Sequence, residues 1–217
     1  MVPVEPERRV TGALRRPHTV DRPDRSCSLD GPLTAEPAQA KCGRVSNDPT
    51  DQQPPDLHPD LAPIAFLLGT WRGEGRGQYP TIDPFTYGEE LHVAATGRPF
   101  LAYTQRTWSL DTAMPMHVEV GYVRTGTPGR VELIVAHPTG IAEIAEGVVE
   151  GMRLTFASRS VGLTSTAKAI TSITRSLERT GDELTSTLDM AAVGQRCSPH
   201  LRSVLGRVDT RPLPQRA

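Results

Sequence analysis

From Trp71 onward the chain consists of short segments in which apolar and polar residues alternate, separated by groups of turn residues. Alternation with a period of two is typical of β-strands whose two faces meet different surroundings. The segments TGRP at 96–99, RTGTPGR at 124–130 and TGD at 180–182 carry the residues expected in tight turns. With a first strand around Trp71, the pattern predicts about ten strands, the others lying near 87–95, 100–110, 117–124, 130–136, 142–149, 152–160, 165–179, 183–191 and 200–208.

The strands are expected to form one antiparallel sheet that closes on itself. Leu154 and Phe156 alternate with Arg153, Thr155 and Ala157, and within 117–124 the residues Val118, Val120 and Tyr122 alternate with Glu119, Gly121 and Val123. Strands with one apolar and one polar face, joined by short connections, are typical of an antiparallel meander. Closure of about ten such strands into an up-and-down β-barrel, of fatty-acid-binding-protein or lipocalin type, removes the sheet edges and encloses room for a small ligand. A β-sandwich is the alternative, and it requires longer crossovers than the sequence offers.

One motif, G-x-W-x-G-x-G, stands at the start of this region. Gly69, Trp71, Gly73 and Gly75 fall on one face of an extended strand, which therefore presents one indole and is otherwise bare. Such a strand can bend sharply and lets another part of the chain approach closely. The expected role of Trp71 is to plug one end of the barrel.

Composition divides the chain into three parts. All ten aromatic residues lie between Phe66 and Phe156, whereas half of the 20 prolines lie in the first 60 residues. Residues 1–56 are therefore predicted to be a disordered extension, 57–210 the barrel, and 211–217 a C-terminal tail. The apolar run at 60–68, with Pro63 in its first turn, predicts a short helix before the first strand.

Charge and cysteine content narrow the function classes. The formal net charge is −1, and the N-terminal arginines are interspersed with acids, which disfavours nucleic-acid binding. No apolar stretch is long enough to span a membrane, and no secretory-type apolar region precedes the core, so a soluble, cytoplasmic protein is expected. Cys27, Cys42 and Cys197 indicate neither a disulfide scaffold nor a zinc site. No stripe of exposed apolar residues is expected, which leaves a monomer or a homodimer open.

Histidines are the candidate ligand residues. His92 and His117 lie within strand patterns and are expected to face solvent. His137, in AHPTG, is expected in a turn, and the alternative is a barrel-mouth position over a bound ligand. His200 opens the last strand beside Pro199, where an irregular backbone can direct a side chain inward. A lone histidine is insufficient for a zinc site but suffices for heme, because the porphyrin supplies four of the iron ligands.

Two pairs of motifs resemble the nitrobindin family. These are GTWRGEG at 69–75 followed by YPTIDPFTYGEE, and LDMAAVGQ at 188–195 followed by PHL at 199–201. The AHPTG and TAKAIT segments resemble the short actinobacterial members, and the similarity extends from residue 60 to about 208. The resemblance implies a ten-stranded barrel with one heme b per subunit near one mouth.

The family resemblance also implies the chemistry. It makes His200 the single axial ligand of a ferric iron that binds nitric oxide and isomerises peroxynitrite to nitrate, protecting tyrosine from nitration. It leaves Lys168, the only lysine of the core, as a partner for a heme propionate, with a solvated strand lysine as the alternative. No catalytic residue beyond the iron is expected, and the pocket is expected to be apolar, with Arg196 and Cys197 near the heme edge. The alternative function is a heme-free, lipocalin-like carrier of a small apolar ligand.

Overall fold

Ten antiparallel strands follow one short helix in the computed structural model, which describes residues 55–208. The helix is of the 3₁₀ type and spans Pro59–Leu67. The strands are β1 Gly69–Tyr79, β2 Ile82–Ala95, β3 Leu101–Ser109, β4 Pro115–Thr125, β5 Arg130–His137, β6 Ile141–Glu150, β7 Arg153–Leu163, β8 Ile170–Thr180, β9 Glu183–Ala192 and β10 Ser198–Val208.

Each strand pairs with the next, and β1 also pairs with β10, so the sheet is a closed up-and-down barrel. This confirms the predicted fold class and strand number, and closure rules out the sandwich. Because consecutive strands run in opposite directions, alternate connections lie at the same end of the barrel. The β1–β2, β3–β4, β5–β6, β7–β8 and β9–β10 connections therefore surround one mouth, and the helix packs at the other end.

The helix closes its end of the barrel by burying its apolar side chains. Leu61, Ile64 and Leu67 are fully buried against strand residues of the core. Trp71 of β1 is also fully buried, and its indole Nε1 donates a 2.8 Å hydrogen bond to the carbonyl oxygen of Leu67. The indole therefore joins the helix to the first strand at the closed end.

The glycines of β1 are required by close packing. A Cβ on Gly73 would lie 2.1 Å from the carbonyl oxygen of Val204 on β10, and a Cβ on Gly75 would lie 2.4 Å from the ring of Tyr87. Both distances are far shorter than a van der Waals contact. A side chain at either position would force backbone or a buried ring to move.

The two faces of β4 are arranged unusually. Glu119 and Val123 are buried, whereas Val120 is 54% and Tyr122 49% exposed. The apolar face of this strand thus points outward, and the expectation that no exposed apolar stripe exists was wrong. The outward apolar residues of β4, of the adjacent β5 and of β6 beyond it are Met116, Val118, Val120, Tyr122, Ile134 and Ile144.

Two predictions concern parts of the chain that the structure does not describe. The disordered extension at 1–56 lies outside the described residues except for its last two positions, and the tail at 211–217 lies wholly outside them. Both stay predictions. Within residues 55–208, no helix has the length and apolar character needed to span a membrane.

Candidate functional site

His200 lies at an irregularity in β10, beside the open mouth. Pro199 pairs with Asp189 of β9 and Leu201 with Leu188, so His200 is an extra residue without a partner on β9. This is the geometry of a β-bulge, and a proline, which cannot donate to the ladder, is tolerated at such a place. The bulge redirects the imidazole of His200.

The imidazole is held by the neighbouring strands. Nδ1 of His200 donates a 2.9 Å hydrogen bond to the carbonyl oxygen of Gln78 on β1, which leaves Nε2 for another partner. The rings of Tyr79 and Phe85 meet the imidazole edge-on at centroid distances of 5.4 and 6.3 Å. Tyr79 is itself fixed, because its hydroxyl accepts a 2.7 Å hydrogen bond from the Ala192 amide at the end of β9.

A cavity of about 610 Å³ adjoins His200. Its lining includes Phe85, Pro84, Pro199 and Leu201, together with polar groups of β1 and β10. The volume falls in the range of roughly 300–1,000 Å³ that is usual for small-molecule and cofactor sites. Burial lowers the pKa of His200 below its usual 6.5, the Gln78 carbonyl opposes this, and His117 lowers it further. His200 is therefore neutral at physiological pH, the state that binds a metal, and these residues fit an axial role toward heme iron.

The other predicted site residues lie in different places. Lys168 is exposed and lies in the β7–β8 loop, not in a strand as expected, because β8 begins only at Ile170. Its neighbour Ala169 accepts a 2.8 Å hydrogen bond from the amide of Val193, so this loop packs beside the β9–β10 connection at the His200 mouth. Arg196 and Cys197 are exposed in that connection. The motif residues Gly69, Trp71, Gly73 and Gly75 all lie on β1, with Trp71 at the closed end, away from the cavity.

A buried ion cluster crosses the interior below the open mouth. Arg175 of β8 donates to Glu119 of β4 through Nη1 at 2.9 Å and Nη2 at 3.0 Å. The same guanidinium donates to Oε2 of Glu143 on β6 through Nη2 at 2.8 Å and Nε at 3.1 Å. Since β4, β6 and β8 are not neighbours in the sheet, these side chains meet within the barrel.

The cluster sets the protonation states of its members. Burial alone would raise the pKa of Glu119, but the charge of Arg175 and the nearby imidazole of His117 outweigh it and hold this pKa well below its ordinary value. The pKa of Glu143 is likewise lowered, because His137 and Arg175 outweigh the effect of burial. Glu89, whose Oε1 accepts a 2.7 Å hydrogen bond from Gln105, differs, since burial dominates and raises its pKa.

Two histidines that the sequence analysis placed elsewhere complete the cluster. His117 points into the barrel and is only 32% exposed at its side chain, and His137, at the end of β5, is buried. Nε2 of His117 lies 3.1 Å from Nδ1 of His137. The expectations of a solvent-facing His117 and an apolar pocket were therefore wrong. His137 does begin the β5–β6 turn, since its carbonyl oxygen accepts a 3.1 Å hydrogen bond from the Gly140 amide, while its ring is buried in the barrel. His137 shares the parity of Val135 and Leu133, both buried, and this spacing was the available signal.

Fold and site define a small antiparallel β-barrel with a histidine-bearing cavity at one mouth. Residues 60–207 match the family model described as "THAP4-like, heme-binding beta-barrel domain". The chain belongs to this family, which confirms the resemblance to nitrobindins.

The barrel aligns with nearly the whole length of several named relatives. A "Peroxynitrite isomerase" of Nocardia farcinica is 52% identical over 155 residues, covering 70% of this chain and 92% of the relative. "Peroxynitrite isomerase 1" of Mycolicibacterium paratuberculosis is 49% identical, with 71% and 98% covered. The crystal structure of Rv2717c from M. tuberculosis superposes with a TM-score of 0.68 at 48% identity, covering 70% of this chain and 99% of that one.

Proposed function

We propose that this protein is a heme-dependent peroxynitrite isomerase that binds one heme b per subunit at the open mouth, with His200 as the axial ligand. The observation that carries the proposal is the imidazole of His200, oriented by the Gln78 carbonyl, beside a cofactor-sized cavity. The names of relatives about 50% identical support the reaction. Nitric oxide binding and protection of tyrosine from nitration belong to the same proposal.

The neighbours of His200 hold its imidazole in one orientation. Its Nδ1–H bond to the Gln78 carbonyl selects the tautomer with a free Nε2 and makes that nitrogen more basic. The rings of Tyr79 and Phe85 restrict rotation of the imidazole, so Nε2 keeps one direction. A heme held by His200 would supply a ferric Lewis-acid site for the peroxynitrite anion.

The ionisable side chains inside the barrel need not transfer a proton in this reaction. Conversion of peroxynitrite to nitrate conserves atoms and charge, so no proton has to enter or leave. Arg175 is fully paired with two carboxylates, and it therefore offers little free charge to an anion. The cavity walls would hold the reacting groups close together, which favours rearrangement over escape.

Lys168 is proposed as the partner of a heme propionate. It is an exposed cation on a loop at the same mouth as His200, so it would be available to a propionate of a heme held by His200. A Lys168→Ala variant is expected to lose heme faster while keeping the Soret position, because the axial ligand is unchanged. The rate of heme transfer to an excess of apomyoglobin measures this, and an unchanged rate contradicts the role.

The test of the proposed function compares His200→Ala with a matched control, His92→Ala. His92 is exposed on β2, where its ring bonds Thr70 Oγ1 at 3.0 Å, so it lies outside the cavity. After hemin addition and gel filtration, the wild type and His92→Ala are expected to keep a Soret band that His200→Ala loses, with β-sheet circular dichroism intact in all three. Nitration of free tyrosine by peroxynitrite should be suppressed by the loaded wild type and by loaded His92→Ala, but not by His200→Ala or by the apoprotein. Equal suppression by loaded protein, apoprotein and His200→Ala would mean simple scavenging by side chains.

The alternative, a carrier of an apolar ligand, is disfavoured by the buried ions. An apolar ligand filling the barrel would pack against Glu119, Arg175 and His117 without replacing any hydrogen bond they make. We also propose that the protein is cytoplasmic and is a monomer or a homodimer.

A further inference from the structure

Three potential ligand atoms converge inside the barrel beneath the mouth. Nε2 of His117 and Nδ1 of His137 are 3.1 Å apart, and Oε1 of Glu119 lies 3.6 Å from the first and 3.5 Å from the second. Three ligands of a tetrahedral zinc ion with bonds of about 2.0–2.1 Å stand about 3.3 Å from one another. The observed triangle has nearly these dimensions, so an ion could contact all three atoms with small side-chain movements.

A second set of groups orients the three ligands. With Nδ1 of His137 directed at an ion, its Nε2 must carry the proton, and Nε2 lies 3.8 Å from Oε2 of Glu143. This buried Nε2 has no hydrogen-bond partner among the described residues, so the carboxylate is its nearest counter-charge. A carboxylate behind a histidine is the usual outer shell of a protein zinc site. Oε2 of Glu119 accepts hydrogen bonds from the Tyr103 hydroxyl and from Nη1 of Arg175. Oε1 of Glu119 faces the histidines and accepts a hydrogen bond from Nη2 of Arg175.

The excess of negative charge in the buried cluster also favours a bound cation. Glu119 and Glu143 are both paired with the same guanidinium, so the ion pairs hold two negative charges against one positive charge. Burying an uncompensated negative charge is costly. A divalent ion on the histidine side, opposite Arg175, would offset the excess.

We propose that His117, His137 and Glu119 bind a zinc-class divalent cation inside the barrel, at a site distinct from the iron site at His200. Two imidazoles and one carboxylate leave a fourth position for water or another small ligand. Partial exposure of His117 provides the route of entry from the mouth. The competing occupant is a proton shared between the two imidazoles, which needs no metal.

The experiment titrates the full-length chain, without added heme, with Zn²⁺ against a chromogenic chelator above neutral pH, because metal binding releases protons and is favoured at higher pH. The wild type is expected to bind one equivalent of Zn²⁺. The zinc affinities of His117→Gln and His137→Gln should be at least about 100-fold lower, since even the loss of an outer-shell group lowers metal affinity 10–100-fold. Glu143→Gln should weaken binding about 10-fold. Zinc X-ray absorption of the loaded wild type should show two imidazoles in a four-coordinate shell.

Two controls separate this site from other histidines. His92→Gln and His200→Ala are both expected to bind Zn²⁺ like the wild type. The proposal is overturned if the wild type holds no stoichiometric zinc, if the His117 and His137 variants bind it unchanged, or if His200→Ala abolishes binding. Because His117 is partly exposed, its variant is expected to fold, and circular dichroism checks this. The result does not depend on heme binding, so this inference and the proposed function can fail separately.

Discussion

Replacing Trp71 by alanine should cost more stability than any other single truncation of an aromatic side chain in the described barrel. The side chain is fully buried at the closed end, and its Nε1 satisfies the buried carbonyl of Leu67 at 2.8 Å. The guanidinium of Arg207 lies 4.5 Å from the ring centroid. Truncating a buried tryptophan costs about 3–5 kcal/mol, and the unsatisfied carbonyl places this variant at the upper end or slightly above, about 4–6 kcal/mol.

Urea unfolding of the heme-free protein, followed by far-ultraviolet circular dichroism, measures this free energy. Trp108→Ala is the matched control, because Trp108 is only half-buried on β3, with Arg72 5.0 Å from its ring. It should cost less than about 2 kcal/mol, since part of its ring already contacts water. Trp71→Phe, which keeps a ring but loses the bond to Leu67, should fall between the two.

If Trp71→Ala lowers the free energy of unfolding by less than about 2 kcal/mol, or by no more than Trp108→Ala does, Trp71 does not close this end of the barrel. The cavity at His200 lies at the opposite mouth, so any Trp71→Ala protein that remains folded should load heme as the wild type does. A folded variant that fails to load would mean that the two ends of the barrel are coupled.

Three further predictions follow from packing, charge and domain limits. Gly73→Ala should lower the urea midpoint markedly, whereas Gly162→Ala, whose Cβ would meet its nearest atom at 3.8 Å, should change it little; equal midpoints contradict the close approach of β1 and β10. Arg175→Met should cost about 3–5 kcal/mol at neutral pH, because two buried carboxylates lose their counter-charge. In the wild type those carboxylates have lowered pKa values, so stability falls as pH drops below 4.5. In Arg175→Met they protonate readily, so the deficit should shrink with acid, and a constant deficit refutes this. A chain beginning at Leu57 should keep the melting temperature and heme affinity of the full chain, and a drop of several degrees would show that the preceding residues contribute.

The barrel itself was predictable from the sequence. Turn residues divide the chain after Trp71 into segments of strand length, and alternation in segments such as Leu154 to Phe156 marks buried positions correctly. Short connections allow few arrangements besides a meander, and a meander of ten strands must close. His200 could be singled out because Pro199 disrupts the start of the last strand, a local effect that the sequence displays directly.

Only the tertiary structure decided which face of β4 lies inside. A period of two defines two faces but does not say which one is buried, and a shift of one residue exchanges them. Val120 and Tyr122 face outward because Glu119 faces inward to Arg175, which lies 56 positions further along the chain. A charge is stable in a barrel interior only when its partner arrives from another strand, and this meeting depends on closure. The same dependence hid His117 and His137, whose shared site with Glu119 exists only once β4 and β5 are paired in register.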